Sequence, residues 1–217
     1  MTGLSASLYA ADPLRLEQEI VAVAPYVESF HLDIMDGLFA PEYGLSGRLV
    51  GDVRRVTDRP LDVHLMVADP RGAIVRYAEA GVRSIAVHIE GGSDLVEAAA
   101  IVRANGGRLM AAIRHTTPVA RLQDVADTVD GILFMTAPLG GGAFDQHAFS
   151  RLAQRPRHLP TTVDGRIDAS HFRQLTDLGV DLAVMGAALF AEGRAAELAR
   201  QHAAELAGHG SASKARS

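Results

Sequence analysis

The sequence predicts an α/β protein, a single-domain (β/α)8 TIM barrel. Three observations carry that prediction. Short apolar runs of β type alternate with amphipathic helical runs along nearly the whole chain of 217 residues. The alternation makes about eight strand–helix units joined by short connections, which is what such a barrel requires. Polar residues also stand at the ends of several separate strands. A barrel gathers those ends at one mouth, whereas an open doubly wound sheet binds ligand at a single switch point.

Leu4–Tyr9 reads as the first strand. Asp12 then serves as N-cap for a helix whose apolar stripe is Leu14, Leu16, Ile20, Val21 and Val23. The second strand is Ser29–Ile34. A Gly- and Pro-rich loop follows it (Gly37, Pro41, Gly44, Gly47) and leads to a short helix at Leu49–Val56. Leu61–Met66 is the third strand, and a helix starts at Asp69-Pro70 and stops at Gly81. Ser84–His88 is the fourth strand, with a helix from Asp94 to Ala104 that Asn105-Gly106-Gly107 ends. Arg108–Ile113 is the fifth, with a helix opening at Thr117-Pro118. Asp130–Met135 is the sixth, with a helix at Asp145–Gln154. Leu159–Val163 is the seventh, with a helix from Asp168 to Gly179. Asp181–Met185 is the eighth, and the last helix covers Ala187–Leu206. The barrel thus occupies 1–207. The small, polar stretch 208–217 reads as a disordered tail.

Composition narrows the function. With 48% hydrophobic and 22% charged residues the chain has the balance of a soluble globular protein with a sizeable core. Its formal charge, 21 − 26 = −5, argues against a nucleic-acid partner but not against a small anion held locally. No run has the apolar length of a membrane span, and Met1-Thr2-Gly3-Leu4 opens without the charged and apolar regions of a secretion signal. A cytoplasmic enzyme with no membrane partner is the expectation. With no cysteine, a metal would have to be held by His and carboxylate.

Phe30-His31-Leu32-Asp33-Ile34 alternates with period two, so the His31 and Asp33 side chains share one strand face. Asp62-Val63-His64-Leu65-Met66 and Thr162-Val163-Asp164-Gly165 bring further polar groups to strand ends. In a barrel His31, Asp33, His64 and Asp164 can surround one divalent cation. Imidazole with carboxylate suits Zn²⁺, Fe²⁺, Mn²⁺ or Co²⁺ better than Mg²⁺ or Ca²⁺. Asp33 and Asp164, from non-adjacent strands, can approach a substrate from opposite sides. One carboxylate would remove a proton from a carbon next to a carbonyl, and the other would return one to the opposite face, inverting the centre. Metal ligation with hydrolysis by a bound water uses the same four residues and stays open at this point.

Glycines form a second group. Gly140-Gly141-Gly142 follows strand six, Gly165-Arg166 strand seven, and Gly186-Ala187 strand eight, opening the last helix. Loops there, with a helix N-terminus, commonly hold phosphate through backbone N–H groups, and Arg166 would add a bidentate charge. Met35, Met66 and Met135 at strand ends read first as core and second as an apolar lining over the reacting carbon. His88, Glu90, Arg114 and His115 read as supporting or surface groups rather than catalytic ones.

From Leu4 to Phe190 the chain resembles the ribulose-phosphate 3-epimerases and related ketose-phosphate 3-epimerases, including those acting on allulose 6-phosphate. The likeness rests on Phe30-His31-Leu32-Asp33-Ile34-Met35-Asp36-Gly37, Leu61-Asp62-Val63-His64-Leu65-Met66-Val67 and Val163-Asp164-Gly165. The opening Ser5-Ala6-Ser7-Leu8 adds to it, with Ser7 on the family's substrate-contacting serine. The resemblance implies one divalent metal on His31, Asp33, His64 and Asp164, with His64 also beside the substrate. It implies Asp33 and Asp164 as acid and base, and a homo-oligomer, dimeric or hexameric. The leading expectation is metal-dependent interconversion of D-ribulose 5-phosphate and D-xylulose 5-phosphate. Another phosphorylated or acidic keto sugar, or a phosphosugar-binding barrel without turnover, is the alternative. Departures gather on the phosphate side. Ala137-Pro138-Leu139-Gly140-Gly141-Gly142 stands for the family's Asn-Pro-Gly-Phe-Gly-Gly-like run. Asp164-Gly165-Arg166 stands for Asp-Gly-Gly or Asp-Gly-Ser, Gly186-Ala187 for Gly-Ser or Gly-Thr, and Arg114-His115 for Asn-Pro.

Overall fold

In a computed structural model, which describes residues 1–214, eight parallel strands close in sequence order into a barrel. They are β1 (Gly3–Ser7), β2 (Ser29–Met35), β3 (Leu61–Met66), β4 (Ser84–His88), β5 (Arg108–Ile113), β6 (Gly131–Met135), β7 (Thr161–Asp164) and β8 (Leu182–Met185). The helices are α1 (Leu16–Val23), α2 (Leu49–Arg54), α3 (Arg71–Glu79), α4 (Leu95–Ala104), α5 (Ala148–Leu152), α6 (Phe172–Asp177) and α7 (Ala195–Lys214). No helix among the described residues is long and apolar enough to cross a membrane.

Alternation along each strand decides what fills the barrel. One face of β2 carries Phe30, Leu32 and Ile34, which join Leu61, Val63, Leu65, Ile85, Val87, Leu109, Ile132, Phe134 and Val163 in one core cluster. The other face points into the barrel and carries His31, Asp33 and Met35. Pairing puts Asp33 opposite His64 and Met35 opposite Met66, while on the far side Met135 is opposite Asp164. Below them the small residues Ala86 and Ala112 pack with Met110 and Leu133 and fill the interior.

Several boundaries differ from the sequence reading. Asp12 does not cap α1, which begins at Leu16; its carboxylate takes the N–H of Leu14 instead, closing a turn before the helix. Between β5 and β6 the expected α-helix is a single 3-10 turn at Val119–Leu122 followed by further turns. The stretch Asp124-Val125-Ala126-Asp127-Thr128-Val129 is rich in residues with weak helix preference, which accounts for this. Gly186-Ala187 opens no α-helix. The Gly186 carbonyl accepts the N–H groups of Leu189 (2.8 Å) and Phe190 (3.1 Å) in a tight turn, and α7 starts only at Ala195. That helix then runs through Lys214, so 208–214, read as tail, is helical backbone; 215–217, the rest of that stretch, lie outside the described residues.

Candidate active site

The C-terminal ends of β2, β3 and β7 bring His31, Asp33, His64 and Asp164 together, with one ligand-type atom of each within 4.8 Å of the others. His31 Nε2 lies 3.4 Å from Asp33 Oδ1 and 3.6 Å from Asp164 Oδ2, and His64 Nδ1 lies 3.3 Å and 3.5 Å from the same two oxygens. Neither ring nitrogen has a hydrogen-bond partner, although both are buried. A cation with bonds of about 2.0–2.1 Å holds neighbouring ligands about 3.3–3.4 Å apart, close to the four imidazole–carboxylate separations here, so these groups could hold one. Two orphaned imidazole nitrogens facing two carboxylate oxygens are also the donor set such an ion selects.

Electrostatics points the same way. Burial alone would lower the His31 pKa, but the adjacent carboxylates of Asp33 and Asp164 outweigh it and raise the pKa to about 9. Burial likewise opposes charge on His64, and the nearby carboxylates of Asp164 and Asp33 raise its pKa. Asp33 is held far below the usual carboxylate range: desolvation pushes it up, and the two histidines pull it further down. The pocket thus favours positive charge between its two acids.

Each carboxylate has a second oxygen. Asp33 Oδ2 accepts the Ser7 hydroxyl at 2.7 Å. Asp164 presents Oδ2 to the histidines, leaving Oδ1 as its other oxygen. Both acids line one cavity of about 660 Å³ together with Ser7, Met35, Met66 and Met135. The methionines are buried and cluster with Ala40 and Leu139, so they are at once packing and cavity lining. Asp36, the last acid of the β2 motif, stays out of the site. Its carboxylate takes the N–H groups of Leu38, Phe39 and Ala68, bracing the loops after β2 and β3.

The opposite wall of the cavity is made by Gly140, Gly141, Gly142, Gly165, Arg166, Gly186 and Ala187. The loops after β6 and β7 are pressed together here. Thr136 N–H donates to the Asp164 carbonyl at 2.7 Å, and a Cβ on Gly165 would stand 2.7 Å from Ala137 N. Arg166 is the one non-glycine residue at positive φ among the described residues, at 58°. The turn at Gly186 removes the helix N-terminus expected beside this wall, so any anion held there would meet loop amides and Arg166 rather than a helix end.

The family model of the ribulose-phosphate 3 epimerase family matches residues 3–190. The chain belongs to the ribulose-phosphate 3-epimerase family. Membership makes it an isomerase, an epimerase acting on carbohydrates. It is 32% identical over 197 residues to a ribulose-phosphate 3-epimerase from Treponema pallidum, covering 86% of this chain and 90% of that protein. It is 30% identical over 203 residues to one from Bacillus subtilis, covering 88% and 94%. Among solved structures it resembles KGPDC from Streptococcus mutans (TM-score 0.78, 14% identity, covering 95% of this chain and 97% of that one). It also resembles orotidine 5'-monophosphate decarboxylase from Methanocaldococcus jannaschii (TM-score 0.70, 18% identity, covering 95% and 99%). Identities that low speak for the barrel alone.

In this epimerase Ser7, Asp33, Asp164 and the glycine-rich wall with Arg166 and Ala187 line one cavity, while His31 and His64 are buried outside its lining and face the two acids. What sequence reasoning undervalued is the pair His88 and Glu90. His88 Nε2 is 2.9 Å from His64 Nε2, and His88 Nδ1 is 3.1 Å from Glu90 Oε2. Burial lowers the His88 pKa to about 4. Desolvation opposes ionisation of Glu90, but hydrogen bonds led by that from His88 bring its pKa down to about 2. The clue lay in the period-two spacing of His88 and Glu90 at the end of an apolar strand.

Proposed function

We propose that the chain is a metal-dependent 3-epimerase of a phosphorylated ketose, with D-ribulose 5-phosphate and D-xylulose 5-phosphate as the leading pair. One observation carries this reading: Asp33 and Asp164 each turn one oxygen to the same two histidines while both border the same cavity. His31, Asp33, His64 and Asp164 would hold the divalent cation. When bound, a cation of this kind stabilises negative charge developing on neighbouring carbonyl and hydroxyl oxygens.

The proton work belongs to the two acids. One carboxylate takes the proton from the carbon next to the carbonyl, and the electron pair of the C–H bond moves to the carbonyl oxygen, giving an enediolate. The other acid, protonated, delivers its proton to the opposite face. The configuration at that carbon is inverted, and the two acids have exchanged protonation states. Ser7 orients Asp33 through Oδ2. Met35, Met66 and Met135 keep water from the reacting carbon, where it would compete for protons. The Gly140–Gly142 loop, Gly165, Arg166, Gly186 and Ala187 receive the phosphate at the far wall, placing the carbon chain over the acids.

The deciding experiment is a screen of ketose phosphates, pentulose and hexulose, in deuterated water. Deuterium should enter at C3 of one substrate, with both epimers recovered intact. Release of fragments, or no exchange with any ketose phosphate, would discard the reading.

A further inference from the structure

His88 and Glu90 lie beyond the four residues proposed to hold the cation, yet they are tied to one of them. The register sets His64 opposite Ala86, so His88, two residues further along β4, shares the inward face and leans back over the His64 ring. Both imidazoles are buried, at 0% exposure for His64 and 2% for His88.

Hydrogen-bond bookkeeping fixes where the protons sit. Two imidazole nitrogens at 2.9 Å share a single proton, one donating and the other accepting. Glu90 as a carboxylate can only accept, so the ring nitrogen facing it, His88 Nδ1, carries hydrogen. Neutral His88 then has a bare Nε2, which accepts, and the shared proton belongs to His64 Nε2. Neutral His64 is left with a lone pair on Nδ1. That is the nitrogen with no hydrogen-bond partner, facing Asp33 Oδ1 and Asp164 Oδ2. The far end of the relay is anchored as well, because Glu90 Oε1 accepts the Arg114 backbone N–H at 2.8 Å. Arg114 in turn donates to the Phe39 carbonyl at 3.0 Å and lies 4.2 Å over the Phe39 ring. Loops after β2, β4 and β5 therefore all bear on one proton position.

We propose that His88 and Glu90 are positioning residues that hold His64 in the tautomer whose Nδ1 is free to bind the cation. The inference rests on the metal reading given above. Partners of this kind on a ligating histidine typically change metal affinity by about 10- to 100-fold when removed.

The test uses Co²⁺ as probe on the full chain, with binding read from its visible absorption against a competing chelator. His88→Ala should weaken Co²⁺ binding by about 10- to 100-fold. His88→Gln, whose side-chain oxygen can accept the same N–H, should recover most of that loss. Glu90→Gln should fall between wild type and His88→Ala. The relay is overturned if His88→Ala binds Co²⁺ as tightly as wild type, or if His88→Gln folds but is no better than His88→Ala. A second measurement does not depend on any variant folding. Nitrogen NMR of the Zn²⁺-loaded wild type should find His64 protonated at Nε2 and metal-bound at Nδ1, and the reverse assignment sinks the proposal. A wild type that takes up no Co²⁺ removes the metal reading and this inference together, whereas uptake indifferent to His88 removes only the inference.

Discussion

The Ser7 hydroxyl donates to Asp33 Oδ2 at 2.7 Å, while Asp33 Oδ1 faces His31 and His64. The two oxygens of one carboxylate are thus given different work by neighbours from β1, β2 and β3. Removing the carboxylate and removing its orienting hydroxyl should have unequal consequences. Asp33→Asn and Asp164→Asn should each lower kcat by about 10²- to 10⁴-fold, the usual worth of a positioned acid or base. Ser7→Ala should cost less, about tenfold, because it loosens the acid without deleting it. Steady-state kinetics on the ketose phosphate that exchanges deuterium supplies the check. Near-wild-type turnover in either Asp variant would remove that acid from the mechanism.

The cation-free protein should have a pH dependence set by His31. Its pKa rises from 6.5 unfolded to about 9 folded, so its contribution to stability is complete below about 6.5 and fades as pH climbs through 9. Asp33 shifts the other way, and its contribution is present above its ordinary pKa and lost in acid. A cation needs His31 without its proton, so loading it near neutral pH should expel about one proton or more per site. Thermal unfolding of metal-free and Co²⁺-loaded protein at pH 6 and pH 9 should show the larger gain on loading at pH 9. Metal uptake with no proton release in a weakly buffered titration would contradict the assignment.

Much of this is legible in the chain itself, for local reasons. Period-two alternation alone put His31 and Asp33 on one face of β2, and three such strand ends implied a common mouth. The β5–β6 crossover departs from the helix its sequence predicts because Pro118 is a good helix starter while the residues that fail to continue the helix lie several positions on. Gly186 opens a turn rather than a helix because its carbonyl is taken by Leu189 and Phe190, which glycine alone does not announce. For His88 the sequence offers only its period-two spacing with Glu90 at the end of an apolar strand. Its weight comes from contact with His64, 24 residues away and on the next strand.

Arg166 offers a test of the anion wall that separates strain from function. It stands at φ 58°, where a side chain costs about 1 kcal/mol relative to glycine. If its only role were local, Arg166→Gly would be neutral to stabilising and catalytically silent. A guanidinium that grips phosphate adds a charge-assisted bond worth about 1.5–3 kcal/mol, so the same change should raise KM for a phosphorylated ketose by about 10- to 100-fold. Thermal stability should hold or rise while KM worsens. An unchanged KM would leave Arg166 as a strained loop residue with no part in binding.

Gly165 tests how closely the two loops must approach. An alanine there would place its Cβ 2.7 Å from Ala137 N, 2.9 Å from Ala137 Cβ and at φ 117°, a conformation that L residues rarely adopt. The obstacle is backbone, so the loop after β6 must move rather than a side chain turning aside. That movement pulls on the bonds from Thr136 to the Asp164 and Gly165 carbonyls, and hence on the strand end that carries the Asp164 carboxylate. Gly165→Ala should therefore cost about 1–3 kcal/mol in stability. It should also lower kcat and raise KM together, because one loop serves the acid and the other serves the phosphate. Chemical denaturation and steady-state kinetics on the same preparation make the comparison. A variant that loses stability but keeps both kinetic constants would show that the Asp164 carboxylate is positioned independently of the loop contact.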